Sequence, residues 1–249
     1  MTAADAVDAT ARVAMVTGAS RGIGRATAQR LAADGFDVAI SFSSDADGAA
    51  ETLSLIEAAG RRGLVLQTDV RNAEAVNESF ESVASELGPV AVLVNNAGVR
   101  HDGLAVRLSD EDWTDTLNAN LTGAFNCSRA ALRGMIRERF GRIVMISSVA
   151  GTHGNPGQAA YGASKAGLIG LARTLAKEYA RKQITVNTVA PGPVATAMTE
   201  GLVDKIAEAV PLGRAGTVDE VAAAVSFFAS DDAAYVTGTV LPVDGGMTA

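Results

Sequence analysis

The sequence predicts an α/β protein in which an open, mostly parallel sheet carries helices on both faces. Apolar strand-like runs alternate along the chain with amphipathic helical windows. The apolar runs are continuous and do not alternate in polarity, which is typical of strands covered on both faces. Right-handed crossovers between successive strands would place the helices in two layers around the sheet.

The individual elements follow from this alternation. The apolar runs expected to be strands are Val13–Thr17, Val38–Phe42, Leu64–Thr68, Val90–Val94, Ile143–Ser147, Ile184–Val189 and Thr239–Val243. The windows expected to be helices are Ile23–Ala33, Ala49–Ala59, Ala73–Leu87, Asp110–Arg137, Tyr161–Ala180 and Val218–Ala229. Gly35, Gly60 and Gly88 follow the ends of three of these windows, where glycine is typical of a helix C-terminus. Asp110 precedes a helix with acidic residues in its first turn, which is typical of a helix N-terminus.

Length and composition indicate one domain. The chain has 249 residues, 48% of them hydrophobic, without a repeat, a linker or an abrupt change in composition. Residues 12–249 are therefore expected to form a single domain. Residues 1–11 lack the basic and apolar regions of a secretory signal and are expected to be a flexible acidic tail. The irregular stretch Pro191–Pro211 lies where a lid over a ligand crevice is expected.

Charge, hydropathy and cysteine content exclude several classes of protein. A net charge of −7 argues against general binding of nucleic acid, which needs a basic face. No apolar run is long enough to predict a membrane span. The single cysteine, Cys127, cannot form an internal disulfide, which fits a reducing compartment such as the cytoplasm. His101 and His153 form no ligand pattern with Cys127 or the carboxylates, so no metal site is predicted.

A glycine-rich loop between the first strand and the first helix predicts a dinucleotide site. Gly18 permits the sharp turn, Gly22 lets the backbone approach a pyrophosphate, and Gly24 lets the helix pack closely. The residues expected to contact the cofactor here are Gly18, Ser20, Arg21, Gly22, Ile23 and Gly24.

The end of the second strand favours NADP(H) over NAD(H). Sites selective for NAD place an acidic side chain there, whereas this chain has Ser43 and Ser44. Serine hydroxyls and the Arg21 guanidinium suit a 2′-phosphate. Asp45 and Asp47 lie close by in sequence and leave NAD open. After the third strand, Asp69, followed by Val70, is expected to hold the adenine amino group; the alternative is that Asp69 caps the next helix.

A tyrosine, a lysine and a serine form the candidate catalytic group. Tyr161 and Lys165 are four residues apart in a helical window and share one face, and Ser148 ends the fifth strand. An ammonium roughly 4 Å from the phenol interacts by about 4 kcal/mol at an effective dielectric near 20, so Lys165 is expected to lower the pKa of Tyr161 by up to ~3 units. Tyr161 would then act as a general acid–base while Ser148 hydrogen-bonds a carbonyl that accepts hydride.

These segments together resemble the short-chain dehydrogenase/reductase family. The resemblance is carried by TGASRGIG at 17–24, NNAG at 95–98, Ser148, YGASK at 161–165 and PG at 191–192. It implies a three-layer, seven-stranded Rossmann sheet, with Tyr161 as acid–base, Ser148 orienting the carbonyl and Lys165 binding the nicotinamide ribose. It also implies that Asn120 holds a proton-relay water. The further cofactor contacts that it implies are Asn95, Ala97, Gly98, Pro191, Gly192, Val194 and Thr196.

Within the family, segments such as ANLTGAF and GQAAYGASKAGLIG are similar to bacterial 3-oxoacyl-[acyl-carrier-protein] reductases. The resemblance implies NADPH-dependent reduction of a 3-oxoacyl thioester in fatty acid biosynthesis. Reductases of this group often have Ile-Thr-Arg-Asp after NNAG, whereas this chain has Val99-Arg100-His101-Asp102. A polyketide, steroid, sugar or other ketone is the alternative substrate. A non-catalytic dinucleotide-binding sensor or assembly protein is the alternative from another class.

Two basic segments and two Ala- and Gly-rich helices suggest macromolecular partners. Residues 129–142 carry a net charge of +4 and residues 173–182 a net charge of +3. They are expected either to be solvated charged faces or to attract an acidic acyl carrier protein, with Arg139 and Lys182 at positions that are basic in the resembling reductases. The resemblance also implies a homotetramer.

Overall fold

The computed structural model describes residues 11–195 and 208–249. The strands in these ranges are β1 Val13–Val16, β2 Asp37–Phe42, β3 Gly63–Gln67, β4 Val90–Asn95, β5 Gly141–Ile146, β6 Ile184–Pro191 and β7 Val240–Val243. They form one seven-stranded sheet in the order β3-β2-β1-β4-β5-β6-β7, and neighbouring strands are parallel throughout. The predicted α/β sheet is confirmed. The lid interpretation for Pro191–Pro211 and the tail expected for residues 1–11 lie largely outside the described residues.

The helices are α1 Gly22–Ala33, α2 Ala46–Ala58, α3 Ala73–Glu86, α4 Asp110–Leu117, α5 Gly123–Glu138, α6 Val149–His153, α7 Ala159–Tyr179 and α8 Val218–Ala229. Alternate residues of β1 enter the two halves of the core. Val13 and Met15 pack with residues of α3, α5 and α7, whereas Ala14 and Val16 pack with residues of α1, α2 and α8. Both faces of the sheet are therefore buried, as the continuous apolar runs predict.

The helix predicted over Asp110–Arg137 is helical throughout, but a π turn at Asn118–Thr122, which the sequence did not predict, lies between α4 and α5. A π turn inserts a residue without breaking the amphipathic pattern on either side, so periodicity does not reveal it. The start of α4 also differs. The Ser109 hydroxyl accepts a hydrogen bond from the Asp112 N–H at 3.0 Å, so Ser109 is the N-cap and Asp110 is the first helical residue.

Among the described residues, no helix combines the length and the apolar character needed to cross a bilayer.

The ligand crevice is expected where the strand order reverses, between β1 and β4, because the loops after these two strands diverge there. The glycine loop follows β1 and the NNAG turn follows β4. Both lie at the carboxyl edge of the sheet, together with the segment that follows β5.

A buried ion cluster fixes the start of β2. The fully buried Asp37 carboxylate accepts hydrogen bonds from Arg61 at 2.7 Å and from Arg62 at 2.7 Å. Arg62 also donates to the Leu87 carbonyl at 3.1 Å. The cluster therefore joins β2, the segment before β3 and the end of α3, and the buried carboxylate is fully paired.

We expect Asp37→Asn to lower the free energy of unfolding by roughly 3 kcal/mol, because it removes the buried anion that pairs with the guanidinium groups of Arg61 and Arg62. Urea unfolding followed by circular dichroism would measure the loss. Asp47→Asn, at an exposed position in α2, is the control and should change the value by less than about 0.5 kcal/mol. Equal losses in the two variants would contradict this account of Asp37.

Candidate active site

The loops after β1 and β4 are held against each other by Thr17 and Asn96. The Thr17 hydroxyl accepts hydrogen bonds from the N–H groups of Asn96 and Ala97, both at 3.0 Å. The Asn96 amide donates to the carbonyls of Thr17 and Gly18, both at 2.9 Å. These four bonds fix the glycine loop relative to the NNAG turn. The sequence analysis missed both side chains, although both lie within the motifs that it singled out.

The glycines of the loop have separate structural reasons. Gly18 has a φ of +62°, and a Cβ there would lie 2.8 Å from the Ala97 Cα. A Cβ on Gly24 would lie 2.4 Å from the Gly18 carbonyl oxygen, so only glycine allows α1 to begin this close to the loop. Gly22 has a φ of +57°, but no described atom lies within 4 Å of its Cβ position. Gly22 therefore borders open space at the start of α1, where a phosphate is expected.

The region after β2 presents hydroxyl groups and no free acid at the strand end. Ser43 and Ser44 are exposed, and so is Arg21 on the glycine loop. Asp45, which left NAD open, is the N-cap of α2 and accepts a hydrogen bond from the Gly48 N–H at 3.0 Å. Its carboxylate is thus committed to the helix, while Asp47 lies within the exposed first turn of α2.

Asp69 does not cap the following helix, so that alternative is wrong. Asn72 caps α3 through its side chain, and Asp69 instead pairs with Arg71 at 2.7 Å. The hydrogen bond from Arg71 is the main reason that the pKa of Asp69 lies below its ordinary value. Val70 is buried, and its carbonyl accepts a hydrogen bond from the Asn126 amide at 3.1 Å.

The Asn95 side chain turns into the protein interior. It is 4% exposed and donates to the Ser128 hydroxyl at 3.0 Å, while its Oδ1 has no hydrogen-bond partner among the described residues. Its contacts tie β4 to α5, so a contact with the cofactor ribose would fall to its backbone. In the turn that follows, Ala97 is half-buried and Gly98 is exposed. A Cβ on Gly98 would lie 2.8 Å from the Asn120 Oδ1.

Asn120 lies in the π turn and connects three parts of the site. Its Oδ1 accepts from the Val99 N–H at 2.7 Å, and its amide donates to the Val99 carbonyl at 3.0 Å. The same amide donates to the Ser164 hydroxyl at 2.9 Å. Asn120 therefore links the segment after the NNAG turn to α7, between Tyr161 and Lys165. Its part in holding a relay water stays a prediction.

Ser148 and Tyr161 are brought together by the close packing of α6 against α7. Ser148 is the N-cap of α6, and its side chain is close enough to Tyr161 to lower the pKa of the phenol. A Cβ on Gly151 would lie 2.7 Å from the Lys165 carbonyl carbon, and one on Gly162 would lie 3.1 Å from the Ala150 carbonyl oxygen. Two glycines at the crossing thus let the helices approach closely. The sequence did not predict α6, because a helix of five residues is too short to show a helical period.

Lys165 carries its ammonium group into the protein. The side chain is 4% exposed, and its Nζ donates to the Ile146 carbonyl at 2.8 Å, at the end of β5. The same Nζ lies 5.5 Å from the centre of the Tyr161 ring. The Ser147 hydroxyl donates to the Lys165 carbonyl at 2.8 Å, which fixes the same turn of α7.

The expected lowering of the Tyr161 pKa is wrong for this structure. Burial raises the pKa of Tyr161 above its ordinary value and outweighs the opposing hydrogen bond from Ser148. Burial also lowers the pKa of Lys165 to about 8. The ammonium is directed at a carbonyl and not at the phenol oxygen, so desolvation dominates both groups.

The segment after β6 lies beside the C-terminal segment. Pro191 ends β6, and a Cβ on Gly192 would lie 2.8 Å from the Asp244 Cα. Val194 is buried and pairs in a parallel bridge with Gly216. Thr196 lies outside the described residues. No cluster of three or more His, Cys, Asp or Glu side chains arranged to hold a metal ion is found within 11–195 and 208–249.

Comparisons with known proteins agree with this arrangement. A family model described as enoyl-(acyl carrier protein) reductase matches residues 18–248. The 3-oxoacyl-[acyl-carrier-protein] reductase of Synechocystis sp. is 46% identical over 240 residues, covering 96% of this chain and 97% of the relative. The enzyme of that name from Escherichia coli K12 is 48% identical over 241 residues, covering 95% and 97%.

A solved structure gives the same result for the fold. The crystal structure of a Sinorhizobium meliloti 1021 protein described as a short-chain alcohol dehydrogenase aligns with a TM-score of 0.90 and 41% identity, covering 95% of this chain and 96% of that one. With a family model spanning most of its length and relatives of this similarity, the chain belongs to the short-chain dehydrogenase/reductase family.

Proposed function

We propose that the protein is an NADPH-dependent reductase that converts a 3-oxoacyl thioester, carried on acyl carrier protein, into the 3-hydroxyacyl thioester for fatty acid biosynthesis. The observation that carries the proposal is the joining of Ser148, Tyr161, Lys165 and Asn120 at one edge of the sheet, in a chain whose full-length relatives bear this enzyme name. We place the activity in a single domain over residues 12–249, in the cytoplasm, where the buried Cys127 thiol stays reduced.

The residues present fit a dinucleotide. Gly18 and Gly24 occupy positions that a Cβ would fill, and Gly22 leaves open space at the N-terminus of α1, where the helix dipole favours phosphate. Ser20, Ile23, Ala97 and Gly98 complete the expected contacts around this space. The nicotinamide, when bound, supplies the hydride. Pro191, Gly192, Val194 and Thr196 are proposed to line its ring.

The proposed preference for NADPH rests on the charges after β2. Arg21 supplies a cation, Ser43 and Ser44 supply hydroxyl groups, and the carboxylate of Asp45 is held by the N-terminus of α2. A 2′-phosphate bound here would therefore be close to hydrogen-bond donors and a cation, whereas the Asp45 carboxylate is already paired. Asp69 is proposed to accept from the adenine amino group while remaining paired with Arg71.

The catalytic residues have distinct roles in reduction of the keto group. Ser148 donates a hydrogen bond to the carbonyl oxygen, on which negative charge develops. The Tyr161 hydroxyl then gives its proton to that oxygen. Because burial raises the pKa of Tyr161, the phenol is protonated at neutral pH, which is the form that reduction requires. Lys165, held at the Ile146 carbonyl, supplies a donor beside the phenol, and Asn120 fixes the segment that borders the substrate.

The two basic segments come together at one edge of the sheet, which favours docking of an acidic carrier. Gly141 and Ile184 are paired neighbours, so Arg139 and Lys182, each two residues upstream, share that edge, and both are exposed. Arg142 does not belong to this surface. It is 4% exposed, and it donates to the Gln183 carbonyl at 3.3 Å.

This basic surface is not the entrance to the catalytic residues of the same chain. It lies at the amino edge of the sheet, whereas Ser148 and Tyr161 lie at the carboxyl edge. The stretch of α7 from Tyr161 to Tyr179 alone spans roughly 27 Å at 1.5 Å per residue. A carrier docked at Arg139 and Lys182 would thus serve the site through a long arm or serve a neighbouring subunit.

A homotetramer is the proposed assembly. Large apolar side chains are exposed on α4, on α5 and in the segment between β4 and α4 (Leu104, Val106, Trp113 and Phe125). A second exposed group lies toward the C-terminus (Tyr235, Leu241 and Met247). Exposed apolar groups of this size are typical of surfaces that associate, and two such surfaces on one chain suit a tetramer.

The direct test measures NADPH oxidation with a panel of substrates: an acetoacetyl thioester, longer 3-oxoacyl carriers, a trans-2-enoyl thioester, a cyclic ketone and a sugar. The panel is repeated with NADH, and we expect turnover of the 3-oxoacyl thioesters with NADPH.

We expect Tyr161→Phe to lower the turnover rate at least ~10³-fold, the size of a general-acid contribution, and to retain NADPH binding. Tyr179→Phe, at the other end of α7, is the control and should keep the activity. Full turnover by Tyr161→Phe would overturn the mechanism, and NADPH binding without turnover of any substrate would favour a sensor.

We expect Gly22→Ala to weaken NADPH binding at least about tenfold, because the added methyl group would occupy space meant for phosphate. The positive φ of Gly22 should also cost about 1–2 kcal/mol of stability. Gly60→Ala is a matched control, since Gly60 has a φ of +75° and no described atom within 4 Å of its Cβ position. Fluorescence titration with NADPH and urea unfolding separate the two effects. Equal loss of NADPH affinity in both variants would refute the placement of the phosphates.

Charge reversal at Arg139 and Lys182 (Arg139→Glu with Lys182→Glu) should raise KM for a carrier-bound substrate about tenfold or more, by loss of electrostatic attraction. The KM for a small acetoacetyl thioester should be unchanged, because this surface is remote from Tyr161. Arg30→Glu, exposed on α1, is a control for a charge reversal elsewhere on the surface and carries half of the change in net charge. An equal effect on both substrates would exclude this surface as the docking site.

A further inference from the structure

The loop formed by residues 99–103, which borders the substrate side of Tyr161, is attached to three parts of the protein. Asn120 holds Val99 by hydrogen bonds at 2.7 and 3.0 Å. The Gly103 N–H donates to the Gly157 carbonyl at 2.8 Å, shortly before α7. The middle of the loop is held to α4 by His101. This residue falls where the sequence departs from Ile-Thr-Arg-Asp, and the proposed mechanism does not use it.

Both ring nitrogens of His101 face carboxylate oxygens. Nε2 lies 3.1 Å from the Asp115 Oδ2, and Nδ1 lies 3.3 Å from the Asp112 Oδ1. Ionised carboxylates only accept hydrogen bonds, and a neutral imidazole has a single N–H to donate. Both contacts are therefore favourable only for the doubly protonated ring. The hydrogen bond from His101 is also the main reason that the pKa of Asp115 lies below its ordinary value, so this carboxylate stays ionised.

The other charged group at this contact is Arg71, from the segment between β3 and α3. It pairs with Asp115 at 2.5 Å and with Asp69 at 2.7 Å. Asp112 and Asp115 of α4 thus lie beside Arg71, which is always charged, and beside His101, which is charged only when both ring nitrogens are protonated. Loss of one proton from His101 would leave a single ring N–H for the two carboxylates, so one of the two contacts between the loop and α4 would be lost.

The neighbours of His101 connect this contact to the catalytic tyrosine. Arg100 and Asp102 pair with each other at 3.2 Å, and Asp102 accepts a hydrogen bond from the Gln158 amide at 3.2 Å. Both charges act on Tyr161: Arg100 lowers the pKa of the phenol and Asp102 raises it. A shift of the loop would therefore change the surroundings of Tyr161 on the side where the substrate is proposed to bind.

We propose that His101 is a positioning residue, which as an imidazolium fixes loop 99–103 to α4 and so sets the places of Arg100 and Asp102 beside the keto substrate. The inference rests on the proposed function, and it adds that His101 affects how well the keto substrate binds. An arginine at this position would make the contact permanent. A histidine makes the contact depend on protonation, so substrate binding is expected to weaken when the ring loses a proton.

The test compares His101→Arg, which keeps a cation, with His101→Gln, which keeps only a neutral donor. KM and kcat for an acetoacetyl thioester are measured at saturating NADPH from about pH 6 to about pH 8.5, the range that spans imidazole titration. In the unaltered protein KM is expected to rise about two- to fivefold, the size of a half-exposed ion pair. His101→Arg should keep a low KM at every pH, and His101→Gln should have the raised KM throughout. His153→Gln, which alters the other histidine of the chain, should keep the pH dependence of KM.

A second measurement does not depend on turnover. Hydrogen exchange of the amides in 99–103, compared at about pH 6, where an ordinary imidazole is charged, should be faster in His101→Gln than in the unaltered protein or in His101→Arg. Faster exchange in a protein that reduces no ketone would overturn the proposed function and leave the role of His101 standing. Turnover with the same KM and the same exchange in His101→Gln as in the unaltered protein would overturn the role of His101. A KM that rises as steeply with pH in His101→Arg as in the unaltered protein would overturn it too.

Discussion

The candidate active site depends on the contact between the start of α7 and the end of β5. Lys165 crosses this contact to donate to the Ile146 carbonyl, and Ser147 donates back to the Lys165 carbonyl. Burial of an ammonium group is unfavourable, and the lowered pKa of Lys165, about 8, reflects that cost. The hydrogen bonds and the close approach allowed by Gly151 offset it. Because α7 is fixed in this way, Tyr161 is fixed as well, one turn earlier on the same helix.

Desolvation and not charge pairing sets the protonation state of the catalytic group. A lysine close to a phenol in a medium of moderate dielectric is expected to lower the pKa of Tyr161. In this structure the ammonium is directed at a carbonyl, and partial burial of the ring raises the pKa. A phenol that stays protonated suits the donation of a proton during reduction. The opposite reaction, oxidation of an alcohol, would need the phenolate. The environment of Tyr161 therefore keeps the phenol in the form that donates a proton.

Local patterns predicted most of the fold. Strands buried on both faces appear as continuous apolar runs, and glycines mark the helix ends, so the sheet and its flanking helices follow from the sequence. The π turn at Asn118–Thr122 and the short α6 did not follow, because an inserted residue leaves the periodicity of its neighbours intact and a five-residue helix has too few turns to show one. Both missed elements carry site residues, Asn120 and Ser148.

The sequence by itself determined which residues form the candidate site: the glycine loop, and the serine, tyrosine and lysine at their spacing. It also determined the sheet that brings these segments to one edge, because buried apolar runs can pair in few ways. Only the tertiary structure decided what each polar side chain does. Asp45 is committed to a helix cap, Asp69 to Arg71, and His101 to two carboxylates of α4. The physical reason is that the effect of a charge depends on its distance from other charges and from water, and both are set by contacts between residues far apart in the chain.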